Sequence, residues 1–241
     1  METALLISCF FIIAFLYSVV GHGGASGYIA LMVLFGFTQH EIRPLALELN
    51  IAVAGIATWQ FYRSGYFLPK LFWPFAISSI PMAWIGGGVR LDAIWFKVIL
   101  AVCLFATMIR LVLQSSGDDF GPESRPSLIF SLLIGGVIGL LAGMIGIGGG
   151  VLLSPVLLLA RWSNVKQASA VAAPFILVNS IVALISSGDL YTDPDSFPFI
   201  LITVIFGGIL GSFSGSRRFR FETIRYVLAI VLMTAIVKLV L

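Results

Sequence analysis

The sequence predicts an all-α integral membrane protein of about eight membrane segments, arranged as two four-helix repeats. Three observations predict it. The 241 residues are 59% hydrophobic and only 10% charged, well below the charge of ordinary soluble domains, so the apolar surface must face something other than water. The apolar residues fall into long runs, most of them near the length that a spanning helix needs. The pattern of the first half recurs in the second.

In chain order the runs cover residues 4–35, 44–62, 67–88, 92–114, 128–160, 167–187, 197–215 and 221–241. The first and fifth are far too long for one straight crossing, and both carry a glycine cluster in the middle. The chain opens Met-Glu-Thr-Ala with no Lys or Arg before Arg43. A secretory leader would start with a basic region, so the first segment is expected to be retained. Cys9 and Cys103 lie inside apolar runs and read as small buried hydrophobes rather than a disulfide framework.

Sliding the sequence by 125 residues places Gly21, Gly23 and Gly24 on Gly146, Gly148 and Gly149. A slide of 128 places Lys97 on Arg225 and Leu113 on Leu241. The first repeat is read as 1–114 and the second as 127–241, joined by a polar linker over 115–126 that holds Asp118, Asp119, Gly121 and Pro122. Duplication is the common plan of secondary transporters. If the broken helices cross fully, the repeats are parallel and Lys and Arg divide nine to five between the two faces. If each turns back at its glycines, the repeats are inverted and the division is ten to four. Both satisfy the positive-inside rule with the Arg217–Arg225 cluster cytoplasmic and the Asp189 loop outside, so charge leaves the choice open.

Each long run is expected to be broken at its glycines, and the glycines do two jobs. Gly139 and Gly143 are spaced for close helix approach, as are Gly207, Gly211 and Gly215. Gly148-Gly149-Gly150 is a different matter, because consecutive glycines are poor helix formers. An unwound backbone at membrane depth is tolerated only where it lines a cavity or is buried in protein. Ser154-Pro155 then reads as an N-cap and first-turn proline of a short helix whose free N–H groups face the break, a ready anion site. The first copy lacks that proline and adds His22 and Ser26, which can donate hydrogen bonds or, for His22, exchange a proton. The candidate binding residues are therefore Gly23, Gly24, Ser26, Gly148, Gly149, Gly150 and Asn179, with His22 and Glu48 as proton-coupling candidates. The glycines do not form a nucleotide loop: no GxxxxGK[ST] occurs, and the run from Gly146 fails GxGxxG at Val151.

Other polar residues in the apolar runs carry weaker signals. Glu48 is an acid inside a spanning segment, either functional, solvated near the interface or paired with Arg43. Asn50, Ser169, Asn179 and Ser180 could hydrogen-bond an oxyanion or join helices. Arg43, Arg161 and Lys166 could draw an anion to a mouth, or serve as interfacial anchors. His40 reads as a solvated loop residue. Two rival functions stand beside transport. Gly24-Ala25-Ser26-Gly27 matches GxSG, the nucleophile motif of rhomboid-type intramembrane serine proteases, whose Ser needs a His base from another helix. A membrane binding or assembly factor that moves nothing is the other.

The run Gly139-x3-Gly143-x2-Gly146-x-Gly148-Gly149-Gly150-x4-Pro155, with its degraded early copy at Gly21, Gly23 and Gly24, resembles the TauE/SafE sulfite exporter family. The resemblance extends over essentially the whole chain. It implies a multi-pass bacterial inner-membrane carrier of sulfite, a sulfonate or another organic anion, driven by an ion or proton gradient. The first copy departs from the fuller pattern, with Ala25 in place of the third glycine and Ala30 where Pro155 stands. The reading calls for no cofactor, no metal and no nucleic acid. Its partners are a small anion and the bilayer, and it is compatible with a homo-oligomer. The anion, the direction of transport and the coupling ion are not fixed by it.

Overall fold

The computed structural model describes residues 2–19, 22–113, 126–191, 193, 196–217, 233 and 236–237. Its helices are α1 (Glu2–Val19), α2 (Ala25–Phe35), α3 (Gln39–Arg63), α4 (Pro69–Gly88), α5 (Ala93–Leu113), α6 (Leu128–Ile145), α7 (Gly150–Leu159), α8 (Val165–Ser187) and α9 (Phe197–Arg217). The architecture is all helical among the described residues. The 115–126 linker lies almost wholly outside them, as do Gly21, the surroundings of Gly215 and most of the 221–241 segment.

Local chemistry fixes the start of the two central helices in the same way. The Glu41 carboxylate accepts from the Thr38 N–H at 2.8 Å and from Thr38 Oγ1 at 2.7 Å, which seals the first turn of α3. For α8, Asn164 Oδ1 accepts from the Gln167 N–H at 2.9 Å, and Gln167 Oε1 accepts from the Asn164 N–H at 3.1 Å. Both caps satisfy N–H groups that a helix start leaves without intrahelical partners. Pro69 opens α4, where its missing N–H costs nothing.

Helix directions follow from the contacts at the two ends of the bundle. At one end, Lys166 Nζ meets the Tyr66 hydroxyl at 3.3 Å, so α3 ends, and α4 and α8 begin, at the same level. At the other end, Gln39 Nε2 donates to the Leu91 carbonyl at 2.9 Å. There Arg90 lies 3.7 Å from Asp189, the Glu48 carboxylate accepts from the Tyr191 N–H at 2.9 Å, and Ser186 Oγ donates to the Trp84 carbonyl at 2.5 Å. Burial pushes the Tyr191 phenol above the usual tyrosine range.

Two glycine ladders set the closest approaches. A Cβ on Gly135, Gly139 or Gly143 of α6 would lie 2.4, 2.3 or 2.4 Å from the carbonyls of Phe75, Ser79 and Ala83 of α4. Partners advance together every four residues, so α6 runs parallel to α4. On the other side of the bundle, Gly207 and Gly211 of α9 press on the Phe11 and Phe15 carbonyls of α1, where a Cβ would lie 2.7 and 2.3 Å away. Small residues let these backbones touch, and such touching supplies the attraction that apolar side chains cannot provide in lipid. The pairing is reciprocal: α4 packs on α6 and α9 on α1, α4 packs on α8 and α9 on α3, and α3 lies along α8 at the centre.

The two short helices double back. After α6 ends at Ile145, Gly149 already lies beside Ile138 and Ala142 of that helix. Leu153 and Leu157 of α7 then join one apolar cluster with Leu71, Phe72 and Phe75 of α4 and Ala168, Val171 and Phe175 of α8, and α7 packs chiefly on α8. The ring of Trp162 sits 6.2 Å from that of Phe75, back at the Tyr66 end where α6 began. The α1–α2 pair returns the same way: Gly27 presses on Ile13 and Tyr17, and the Tyr28 ring is 5.8 Å from that of Phe10. The chain then reaches Gln39 at the Arg90 end. The two hairpins thus enter from opposite ends of the bundle.

Three described helical stretches, Leu128–Ile145, Val165–Ser187 and Phe197–Ser214, are long and apolar enough to cross a membrane. Exposed Trp59, Tyr62 and Trp73 cluster toward the Tyr66 end, and exposed Trp84 and Trp95 toward the Arg90 end. Amphipathic rings at two levels are the usual sign of the two membrane–water interfaces.

Two readings from the sequence are corrected here. The helix after the break starts at Gly150 with Gly149 as its N-cap, and Pro155 lies inside it. Ser154 is therefore no cap; its hydroxyl donates back to the Gly150 carbonyl at 2.9 Å. Glycine in the left-handed region can start the helix earlier than any side-chain cap would. Arg43 does not pair with Glu48. Its guanidinium caps the end of α4, donating to Val89 O and Gly86 O at 3.2 Å each and to Gly87 O, where a positive charge meets the negative end of the helix.

Replacing Gly139 with Leu should cost at least a few kcal/mol, since a Cβ there meets backbone that cannot yield. The expected outcome is loss of a monodisperse peak on size-exclusion chromatography. Gly136→Ala, where the nearest atom to an added Cβ is Met82 Cγ at 3.6 Å, should leave the peak intact.

Candidate binding site between the hairpin tips

Both hairpin tips use the same backbone device. Gly24, at φ +94°, is the N-cap of α2. Gly149, at φ +79°, is the N-cap of α7. These positions are equivalent under the 125-residue slide, and only glycine adopts such angles without strain. Gly148 is also left-handed, at φ +69°. Each tip therefore presents the start of a helix, with first-turn N–H groups that have no acceptor within the helix. The aligned peptide dipoles make each start electropositive.

The two tips converge on the seam between α3 and α8. A Cβ on Gly23 would meet Asn50 Oδ1 at 2.8 Å, Ile176 Cγ2 at 3.2 Å and Ala54 Cβ at 3.5 Å. A Cβ on Gly148 would meet Ile176 Cγ2 at 2.7 Å, Ser180 Oγ at 2.9 Å and Asn50 Nδ2 at 3.0 Å. Asn50 and Ile176 thus serve both tips, with Ala54 beside the first and Ser180 beside the second. Asn50 and Ser180 are fully buried. Both polar atoms of the Asn50 carboxamide, and the Ser180 hydroxyl, have no hydrogen-bond partner among the described residues. The Tyr28 hydroxyl is in the same state and lies 2.8 Å from where a Gly24 Cβ would be.

Those orphaned groups carry weight because burial of an unpaired amide or hydroxyl costs about 1–3 kcal/mol. A buried Asn that joins helices makes a bond across them; Asn50 makes none. Its place between two helix starts suits a guest that accepts hydrogen bonds from the tips and exchanges them with the amide.

The tips also touch each other. His22 Nε2 lies 3.0 Å from Ser154 Oγ, a buried link from the first hairpin to α7. With the serine proton on the Gly150 carbonyl, the imidazole Nε2 is the donor. Ser26 is one turn further into α2 and donates to the Tyr17 hydroxyl at 3.0 Å. The serine nearest an imidazole is therefore Ser154 and not the GxSG serine.

Of the sequence candidates, the structure brings together His22, Gly23, Gly24, Gly148, Gly149 and Gly150. Asn179 turns its Nδ2 onto the Phe175 carbonyl of its own helix at 2.9 Å and its buried Oδ1 has no partner among the described residues, while the neighbours of Gly23 and Gly148 are Asn50, Ile176, Ala54 and Ser180. Glu48 holds the loop at Tyr191. Neither Arg161, exposed and left-handed at φ +52°, nor Lys166, held by Tyr66 at the bundle end, is near the tips in sequence or level. Sequence reasoning left Asn50 and Ser180 open between bonding an oxyanion and joining helices, and passed over Tyr28. A signal existed: the caps at Thr38 and Asn164 set a slide of 126, which puts Asn50 on Ile176 and Ala54 on Ser180.

Asn50→Leu, which replaces an unpaired amide by an apolar group of similar size, should leave the melting temperature in detergent unchanged or raised. Ser154→Ala, which breaks a formed link, should lower stability by about 1 kcal/mol. A lower melting temperature for Asn50→Leu would show that the amide is structural.

Comparison with known proteins agrees with this helical membrane architecture. The model of the family described as Sulfite exporter TauE/SafE matches residues 6–239. A curated protein of Sinorhizobium fredii (strain NBRC 101917 / NGR234), "Probable membrane transporter protein y4hK", is 38% identical over 234 residues, covering 95% of both chains. No solved structure matches significantly. With nearly its whole length matched by the family and by such a relative, the chain belongs to the TauE/SafE family of helical membrane proteins.

Proposed function

We propose that this protein is a secondary carrier of a small anion, held between the tips of two opposed hairpins near the middle of the bilayer. The observation that carries the reading is the convergence of two helix starts on one buried, unpaired amide, Asn50. Main-chain N–H groups and helix dipoles favour negative charge at both tips. The family match and the transporter relative support transport rather than assembly alone. The family description supports export and sulfite as substrate; a sulfonate or another organic anion shares the chemistry that the tips would hold.

In this reading the chain is two inverted repeats, 1–114 and 127–241, in eight membrane segments, with the first helix of each folded back at its glycines. Reciprocal helix pairing and entry of the hairpins from opposite ends support it. Inversion corresponds to the ten-to-four division of Lys and Arg, and among the described residues Arg63, Lys70 and Lys166 lie toward the Tyr66 end. By the positive-inside rule, the Tyr66 end is cytoplasmic in a bacterial inner membrane. Binding at a repeat interface allows alternating access, with one hairpin and its partners rocking against the other around the α3–α8 seam. Opening from either side parts the tips and exposes the two ends of the Asn50 amide in turn. His22 and Glu48 stay candidates for coupling protons.

Purified protein in proteoliposomes should accumulate a labelled anion from a panel of sulfite, sulfonates and carboxylates, with a rate that responds to a pH gradient. Gly149→Val, strained at φ +79° and 2.9 Å from Ile138 at its Cβ, should insert and lose flux. Asn50→Leu, folded by the melting assay, should lose flux at least tenfold. Normal flux in both variants would remove the site from between the tips.

A further inference from the structure

We infer that Asn50 makes the site selective for a small oxyanion that still carries one proton, over one that is fully deprotonated. The inference rests on the carrier reading and names the chemical form of the guest. Its basis is the unpaired carboxamide between Gly23 and Gly148, with one end against each tip. An amide offers two N–H donors at one end and an acceptor oxygen at the other. Turning the amide over exchanges the ends and leaves the requirement unchanged. An anion oxygen satisfies the donor end. The acceptor end needs a hydrogen, and a fully deprotonated oxyanion has none to give.

The surroundings sharpen the point. Ser180 and Tyr28, the other unpaired hydroxyls here, can each donate or accept, so they adapt to any guest. The tip N–H groups only donate. Of the unpaired side chains that the tip glycines touch, Asn50, Ser180 and Tyr28, only Asn50 carries an oxygen that must accept. A guest made only of acceptors leaves that oxygen unpaired and facing negative charge, a loss of roughly tenfold in affinity or more. A monoprotonated oxyanion gives its hydrogen to Asn50 and its bare oxygens to the tips. It also brings its own proton across, so substrate and proton move together without a titrating side chain at the contact.

Titratable groups around Asn50 do not supply the same selectivity. On the elements packed against α3, His22 is held by Ser154, and Tyr17 takes the Ser26 hydroxyl. On α3 itself, Glu48 is bonded to Tyr191 and Arg43 to the end of α4.

The test uses wild type, Asn50→Leu and Ser180→Ala in proteoliposomes, each first shown to melt cooperatively. Flux of labelled sulfite, whose second ionisation lies near neutral pH, is measured on either side of that ionisation. Unlabelled sulfate and methanesulfonate compete. Sulfate is all acceptors and doubly charged; methanesulfonate is all acceptors and singly charged. The expected result is sulfite flux that tracks its protonated fraction, with both competitors weaker by roughly tenfold or more. The methanesulfonate competition profile against pH reports titration of the protein, including His22, and is subtracted. Asn50→Leu should lower sulfite flux and close the gap between sulfite and the competitors. Ser180→Ala should lower flux and keep the gap. Methanesulfonate competing as well as sulfite would overturn the inference by showing that charge alone is selected, as would a gap that survives Asn50→Leu. Absence of flux for every anion would overturn the carrier reading itself, and the inference with it.

Discussion

A polar main-chain group in an apolar interior must find a partner, and the architecture follows from that constraint. Two helix starts placed deep in a bundle carry several N–H groups each that the helix cannot satisfy. At a water-exposed end, such as those of α3 and α8, side chains of Glu41, Gln167 and Asn164 solve the problem. At the tips, Gly24 and Gly149 cap without offering any side chain. At those left-handed angles the chain cannot place a capping Ser, Thr or Asp without strain. It keeps the starts bare and puts an equally bare amide opposite them.

The rest of the bundle holds that arrangement in register. Gly135, Gly139 and Gly143 bring α6 against α4, and Gly207 with Gly211 bring α9 against α1. Because the backbones themselves touch, the helices cannot slide without steric overlap, which fixes the depth of each tip. Arg43 supports the same geometry from the Arg90 end. It closes the Gly86–Gly87 end of α4 and packs beside Gly146, where α6 stops. A charge that sequence alone suggested as an attractant is in fact a helix cap.

The pairing also divides rigid parts from movable ones. Each glycine ladder joins a helix of one half to a helix of the other, so the halves interdigitate. The α3–α8 seam is common to both and carries Asn50, Ala54, Ile176 and Ser180. Motion that parts the tips has this seam as its natural pivot, because Asn50 and Ile176 face both hairpins. The His22–Ser154 link crosses between the hairpins and would have to break in such a motion.

The sequence by itself determined the helical class, the approximate limits of most segments and the small-residue faces, because apolar length and four-residue glycine spacing are local properties. It also marked the two glycine runs, which are costly in a helix wherever the rest of the fold lies. Only the tertiary structure decided which way the chain leaves each tip. A left-handed glycine permits continuation or return alike, and the return is set by α7 packing on α8, where Leu153 and Leu157 join the cluster of Val171 and Phe175, and by Gly27 meeting α1. The same is true of partners: Arg43, Glu48, Ser26 and Asn179 each carried a plausible role, and each bonds a group on another segment or a turn along its own helix. Asn50 was one polar residue among several in the sequence. Its isolation between two helix starts is a property of four separate segments brought together, which no single segment encodes.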